Sequence, residues 1–196
     1  MFTGIIEGLG VVKAISSEKE NVTFTISCDF VNELKVDQSV AHNGVCLTVE
    51  SIGESHYTVT AIKETLGLTN LADWVLGDIV NLERCMLASG RFDGHVVQGH
   101  VDAVAICVRV EDQEGSFKIN FALRTAHQGM IVKKGSITIN GISLTVVDCT
   151  DNGFSVAIIP YTWEHTNLKT LRKGGFVNIE FDIIGKYVAS MLAHRS

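Results

Sequence analysis

Apolar and polar residues alternate along this chain in short runs. Val22-Thr23-Phe24-Thr25-Ile26-Ser27 alternates, as do His56-Tyr57-Thr58-Val59-Thr60 and Ser136-Ile137-Thr138-Ile139. A period of two sends successive side chains to opposite faces of a strand, so each run predicts a strand with one buried face. Asn-Gly pairs at 43–44, 140–141 and 152–153 punctuate the runs. Both residue types tolerate φ > 0, which a two-residue hairpin turn requires. Many short strands at regular spacing predict a small closed barrel or a sandwich. Helical spacing is confined to short segments at Asp29–Leu34 and Leu123–Ile131, and to the tail Ile184–His194. In that tail Tyr187, Val188, Met191 and Leu192 form an apolar stripe. The pattern leaves open whether the stripe packs on the chain's own second half or on a neighbouring subunit.

The pattern also repeats. At an offset of 97 residues, Asn43-Gly44-Val45-Cys46-Leu47-Thr48-Val49 falls on Asn140-Gly141-Ile142-Ser143-Leu144-Thr145-Val146. The register holds through Thr69-Asn70-Leu71 on Thr166-Asn167-Leu168 to Val80-Asn81-x-Glu83 on Val177-Asn178-x-Glu180. Upstream the offset is 95, with Gly4-Ile5-Ile6-Glu7 on Gly99-His100-Val101-Asp102. Two copies of about 90 residues are each large enough to fold as a unit, which distinguishes the chain from a solenoid. The division expected is residues 1–95, 96–183, and a C-terminal helix over 184–196.

Composition adds class rather than detail. Of 196 residues, 46% are hydrophobic and 19% charged, which suits a globular core. Eighteen glycines against one proline suit tight turns between strands. The net charge of −6, with no dense run of Lys or Arg, argues against nucleic acid and for a small-molecule substrate. The first residues lack the basic and apolar regions of a signal peptide, and no apolar run approaches the roughly 20 residues of a membrane helix. The five cysteines are scattered and none forms a CxxC pair, as expected of reduced cytoplasmic thiols. His95 and His100 are five apart, which on a strand separates them to opposite faces and disfavours shared metal ligation. No Walker loop, GxGxxG or GxSxG is present. A reaction without metal or cofactor remains.

Several segments, in order, carry a resemblance: Met1-Phe2-Thr3-Gly4-Ile5-Ile6-Glu7, Asn43 to Val49, Lys63-Glu64-Thr65-Leu66, Gly90 to Asp102, Asn140 to Val146, Ile159-Pro160-x-Thr162 and Ile184-Gly185-Lys186-Tyr187. Together they resemble the riboflavin synthase family over nearly the whole chain. The resemblance implies a mainly all-β fold of two homologous six-stranded Greek-key barrels in tandem plus a C-terminal α-helix. It implies a dismutation of two 6,7-dimethyl-8-ribityllumazine molecules. A four-carbon unit passes between them, giving riboflavin and 5-amino-6-ribitylamino-pyrimidinedione. It further implies one lumazine per barrel, a homotrimer joined through the C-terminal helices, no cofactor, and an association with lumazine synthase as an open question. Non-catalytic lumazine or flavin carriers share this fold; they tend to lose the active-site cysteine or histidine, and this chain has Cys46 and His100.

Residue by residue, Cys46 stands in the first copy where Ser143 stands in the second. On its own, a lone strand cysteine is more often a small buried residue. The resemblance makes Cys46 an active-site residue, either a nucleophile at C7 of a lumazine or a polar contact to the intermediate. His100 is matched by Ile5, so the fold does not itself call for histidine there. The resemblance implies proton transfer at the C7 methyl or orientation of the intermediate. Ser39, matched by Ser136, is implied near the ring. Around one ring the resemblance places Gly4, Ile5 and Ile6, with Cys46, Leu47 and Thr48, then Thr60, Ala61, Ile62, Lys63, Glu64 and Thr65, and Gly99, His100 and Val101. Around the other it places Lys134, then Ser143, Leu144 and Thr145, then Ala157, Ile158, Ile159, Pro160, Tyr161 and Thr162. Asp182 matches a carboxylate near the second site and Phe2 an aromatic at the N-terminal edge. The pairs Thr48/Thr145 and Thr65/Thr162 fit either two ligand sites or turn hydrogen bonds. Asn140 departs from the Asp of many members, and Tyr161 from an expected His or Glu.

Overall fold

The computed structural model describes residues 1–127 and 129–193. Two closed antiparallel barrels follow each other along the chain. The first comprises β1 (Gly8–Glu18), β2 (Asn21–Ser27), β3 (Ser39–His42), β4 (Val45–Ile52), β5 (Tyr57–Ala61) and β6 (Ile79–Arg84), with α1 (Lys63–Leu68) before β6. The second comprises β7 (Ala103–Asp112), β8 (Phe117–Leu123), β9 (Ser136–Ile139), β10 (Ile142–Thr150), β11 (Gly153–Ile158) and β12 (Phe176–Phe181), with α2 (Pro160–His165) before β12. Around the first barrel the order is β1-β2-β5-β4-β3-β6, and β1 pairs with β6 to close it. The second repeats this order. Both carry matching register shifts, between Val12 and Ala14 and between Cys107 and Arg109, then between Val49 and Ser51 and between Val146 and Asp148. Such bulges sharpen the strand bending that closure of a small barrel needs.

Alternation decides which face is buried. On β4, Val45, Leu47 and Val49 point into a core shared with Phe24, Ile26, Tyr57 and Leu82. Cys46 and Thr48 therefore point out of the barrel. On β10, Ile142 and Val146 join a core with Ile119, Phe121 and Ile179, and Ser143 and Thr145 point out. Asn43-Gly44 and Asn140-Gly141 form the expected hairpin turns, all four with positive φ.

The two turns also meet each other. A Cβ on Gly44 would lie 2.8 Å from the Gly141 nitrogen, so only glycine allows the approach. Around this contact the buried asparagines of both barrels interlock. Asn81 Nδ2 donates to the Asn140 carbonyl at 2.9 Å, and Asn178 Nδ2 donates to the Asn43 carbonyl at 3.0 Å. Asn167 N–H donates to Asn81 Oδ1 at 2.8 Å, and Asn70 N–H to Asn178 Oδ1 at 2.7 Å. Asn140 thus serves the barrel interface.

Three local expectations change. Asp29–Leu34 yields only a 3-10 turn at Val31–Glu33. Leu123–Ile131 is not a helix among the described residues; Gln128 lies outside them. Leu123 ends β8, Gly129 has φ +79°, and the Leu123 and His127 N–H groups donate to the carbonyls of Asn152 and Asp151. Backbone donors spent across the fold cannot close a helical ladder. The third hairpin forms one residue earlier than the Asn152-Gly153 pair implies, with Thr150 paired to Gly153. Gly153 instead opens β11, where a Cβ would sit 2.9 Å from the Phe121 carbonyl oxygen. The tail helix, α3 (Ile183–Ala193), forms as expected, and His194 lies outside the described residues.

Candidate functional site

The segments that precede the two barrels are exchanged between them. Gly4 precedes β1, yet its carbonyl accepts from Ser143 N–H on β10 at 2.8 Å. Gly99 precedes β7, yet its carbonyl accepts from Cys46 N–H on β4 at 2.9 Å. Both glycines have positive φ, and a Cβ on either would lie 2.5 Å from the Cβ of its partner, Ser143 or Cys46. Downstream, Ile6 packs on the second barrel's core and Val101 on the first's. The structure therefore divides a set expected together: Gly99, His100 and Val101 lie with Cys46, whereas Gly4, Ile5 and Ile6 lie with Ser143. Strand pattern alone assigns each segment to the barrel it precedes. The exchange is a long-range pairing that the local pattern does not encode.

Buried carboxylates hold the exchanged segments. Glu83, near the end of β6, accepts from Thr3 N–H at 2.6 Å, Thr3 Oγ1 at 2.9 Å and Gly4 N–H at 3.0 Å. Glu180 on β12 accepts from Gln98 N–H at 2.7 Å and from Gly99 and His100 N–H at 2.9 Å each. Burial pushes both carboxyls above the ordinary range, and these donors oppose it. The sequence displayed these glutamates as a repeated pair without signalling a partner.

On the first barrel, Ser39 lies opposite Thr48, and Ala41 opposite Cys46. Ser39, Cys46 and Thr48 thus share one outer strand face. Phe2, Ala41 and Val97 form a small buried cluster against Cys46 and Cys85. Phe2 and Val97 exchange backbone hydrogen bonds at 2.8 and 3.1 Å, which ties the two exchanged segments together. Burial raises the Cys46 thiol above its ordinary pKa, and the Ser39 hydroxyl lowers it in part. The thiol is therefore neutral near pH 7. His100 is exposed beside this face.

The second barrel carries Ser143 in place of Cys46, and here an imidazole reaches it. His95 Nδ1 lies 2.7 Å from Ser143 Oγ, and its Nε2 lies 3.2 Å from Thr138 Oγ1. Burial lowers the His95 pKa, and the Asp182 carboxylate opposes this. The imidazole is neutral near pH 7, so one nitrogen donates and the other accepts. A Cβ on neighbouring Gly94 would come within 2.8 Å of the Ser143 Cβ, so glycine is needed for the close approach. The sequence spacing speaks only against shared metal ligation by His95 and His100; the contact of His95 with Ser143 has no local signature. Asp182 also caps α3 through Ile184 N–H at 2.9 Å.

Leu47, Ala61 and Ile158 point into barrel cores, which leaves only their backbone to a ligand. Thr60 Oγ1 donates to Glu50 Oε2 at 2.8 Å, Lys63 pairs with Glu20, and Glu64 lies exposed on α1. The hydroxyls of Thr69 and Thr166 donate to the backbone carbonyls of Thr65 and Thr162 at 2.7 Å each, so these turn bonds use the side chains of Thr69 and Thr166 and only the backbone of Thr65 and Thr162. Ile62 and Ile159 are exposed at equivalent places, beside Pro160 and Ala157. Tyr161 is 69% exposed and stacks on His165 at 4.0 Å. Trp163 stacks on Phe117 at 4.1 Å and fixes α2 to its barrel. Leu144 packs partly on the second core, Thr145 is exposed, and Lys134 sits exposed in a positive-φ turn before β9. A cavity of about 830 Å3 opens elsewhere, at the end of the first barrel among Ile5, Lys35, Arg84 and Leu87. It includes Ile5 alone of the expected site residues.

Comparison with known proteins follows the duplication. A family model for the lumazine binding domain matches twice, over residues 3–85 and 98–182. A riboflavin synthase from Actinobacillus pleuropneumoniae is 42% identical over 196 residues, covering 100% of this chain and 91% of that protein. A riboflavin synthase from Bacillus subtilis (strain 168) is 38% identical over 193 residues, covering 98% and 90%. Among solved structures, LumP complexed with 6,7-dimethyl-8-(1'-D-ribityl) lumazine superposes with TM-score 0.83 at 25% identity, covering 92% of this chain and 98% of that one. LumP complexed with riboflavin gives 0.85 at 26% identity, covering 92% and 99%.

Proposed function

The chain belongs to the lumazine-binding domain family, among its riboflavin synthases, and from that premise we propose how its two barrels divide the reaction. The substrate is 6,7-dimethyl-8-ribityllumazine, used twice. One molecule gives the four carbons that the other gains, so no external reagent enters. The products are riboflavin and 5-amino-6-ribitylamino-pyrimidinedione. The observation that carries the assignment is the Gly99–Cys46 backbone pairing, which lays the segment of the second copy that carries His100 against the strand of the first that carries Cys46.

The first ring lies on the outer face of β4, against Cys46, Thr48 and Ser39, with Gly99 to Val101 and the start of α1 at its edges. The second lies on β10, against Ser143 and Thr145, with Gly4 to Ile6 and the start of α2. His100 moves the proton of the acidic C7 methyl, whose anion is delocalised over the ring. A neutral, half-buried Cys46 suits a hydrogen-bonding contact to the intermediate; attack at C7 would first require its deprotonation. On the second site His95 sets the direction of the Ser143 hydroxyl. Holding both rings face to face makes a bimolecular step effectively unimolecular, worth roughly 7–11 kcal/mol.

Because each outer face is open in a single chain, the facing wall comes from a neighbour. The assembly is a homotrimer, with the first barrel of one subunit against the second of the next. Supporting it, Ile184, Tyr187, Val188 and Met191 on α3 are 52–67% exposed, an apolar stripe on a helix with no buried residue. The units are residues 1–95, 96–183 and 184–196, and the site of action is the cytoplasm.

The test follows absorbance after mixing the protein with 6,7-dimethyl-8-ribityllumazine. The native chain should form riboflavin. Cys46→Ala and His100→Gln should each lower kcat by about 10²-fold or more while the fold is kept. Near-native turnover in Cys46→Ala would remove the thiol from the mechanism. Tight lumazine binding with no flavin formed by the native chain would favour a carrier instead.

A further inference from the structure

Glu180 is a buried titratable group with no task in the reaction as described. It lies on β12, and it is 2% exposed. Its carboxylate spends both oxygens on three consecutive N–H groups, those of Gln98, Gly99 and His100. None of these donors belongs to the second barrel's own candidate site. They belong to the exchanged segment, whose Gly99 carbonyl pairs with Cys46 N–H at 2.9 Å. Glu83 does the converse, fixing Thr3 and Gly4, whose carbonyl pairs with Ser143 N–H.

We infer that Glu180, a residue of the second barrel, is the positioning residue of the first barrel's site, and that Glu83 of the first barrel positions the second. The two sites are then coupled through buried carboxylates, each barrel holding the wall of the other's pocket. The chemistry favours a carboxylate for this task. Three N–H donors converge on two oxygens, and only an acceptor-only group satisfies all three. A glutamine of the same size must turn its own N–H2 toward at least one of them. The segment then shifts, and His100 and the Gly99 carbonyl shift with it. A displacement near 1 Å can cost about 10²-fold in rate.

The inference rests on the assignment of the Cys46 face as a lumazine site, and the experiment separates the two. Glu180→Gln and Glu83→Gln are made in the full chain. Three readouts are taken: backbone hydrogen exchange at 98–100, kcat with KM, and peptide-resolved alkylation of Cys46 with and without lumazine. In Glu180→Gln, exchange at 98–100 should rise, kcat should fall about 10- to 100-fold, and lumazine should no longer protect Cys46. In Glu83→Gln, protection of Cys46 should persist while exchange at 3–4 rises. Glu180→Asp should restore part of kcat, and it replaces Glu180→Gln if that variant does not fold. Unchanged exchange and protection in the Glu180 variants would overturn the inference, as would equal loss of Cys46 protection in Glu83→Gln. If lumazine fails to protect Cys46 in the native chain, the Cys46 assignment falls, and exchange at 98–100 alone decides the role of Glu180.

Discussion

At the residue scale, the duplication supplies its own substitutions. Where the first barrel buries His42 and Tyr57, the second buries Ile139 and Phe154. His42 Nδ1 meets the Val40 carbonyl at 3.0 Å, so it donates there, and its Nε2 accepts from Tyr57 O–H at 2.7 Å. Burial drives His42 from 6.5 down to about 4. Between those values the unfolded chain binds a proton that the folded chain refuses. Stability should be full above pH 6.5 and fall as pH drops toward 4, by at most about 3 kcal/mol. Tyr57→Phe alone should cost about 1–3 kcal/mol, because it leaves Nε2 buried without a donor. His42→Ile with Tyr57→Phe, which copies the second barrel, should return close to native stability at pH 7 and flatten the acid slope. Urea melts from pH 4 to 7 check both. A double variant that keeps the slope would acquit His42.

At the element scale, strands were legible and their partners were not. Val22–Ser27 and Ser136–Ile139 stand in the sequence as alternating runs, and both form strands. Outward placement of Cys46 and Thr48 follows from the same alternation. The cover over that face did not: Gly99 reaches Cys46 from the second copy, across 53 residues of chain (99 − 46). The stretch after Leu123 has helical spacing yet stays irregular, because the His127 N–H bonds to the distant turn at Asp151. Gly99→Ala tests the contact. With φ +83° and a Cβ 2.5 Å from that of Cys46, the methyl cannot be seated without moving the segment. Turnover should fall at least tenfold, with a stability loss of about 1–3 kcal/mol. Native kcat would mean the segment does not position the site. On α3, Met191→Glu places a charge in the exposed apolar stripe. If the proposed trimer joins through α3, sedimentation should report smaller species for the variant than for the native chain. An unchanged mass would contradict the proposed contact through α3.

At the scale of the whole molecule, two similar barrels are locked at one interface and unlike at their faces. The interface is the asparagine network around Gly44 and Gly141, where equivalent residues of both copies bond crosswise. Its motif was visible in the sequence as a repeat, and its purpose was not, since a repeated Asn-Gly also fits a hairpin alone. The unlike faces set a neutral Cys46 thiol under the Gly99 segment on one barrel and a Ser143–His95 pair on the other. That asymmetry suits a reaction in which two identical molecules meet different fates. Mass balance tests this most directly. The purified protein is given 6,7-dimethyl-8-ribityllumazine and no other reagent, and all species are quantified to completion. The account predicts one riboflavin and one pyrimidinedione for every two lumazines consumed. Lumazine bound but unconsumed, or riboflavin formed without an equal amount of pyrimidinedione, would contradict it.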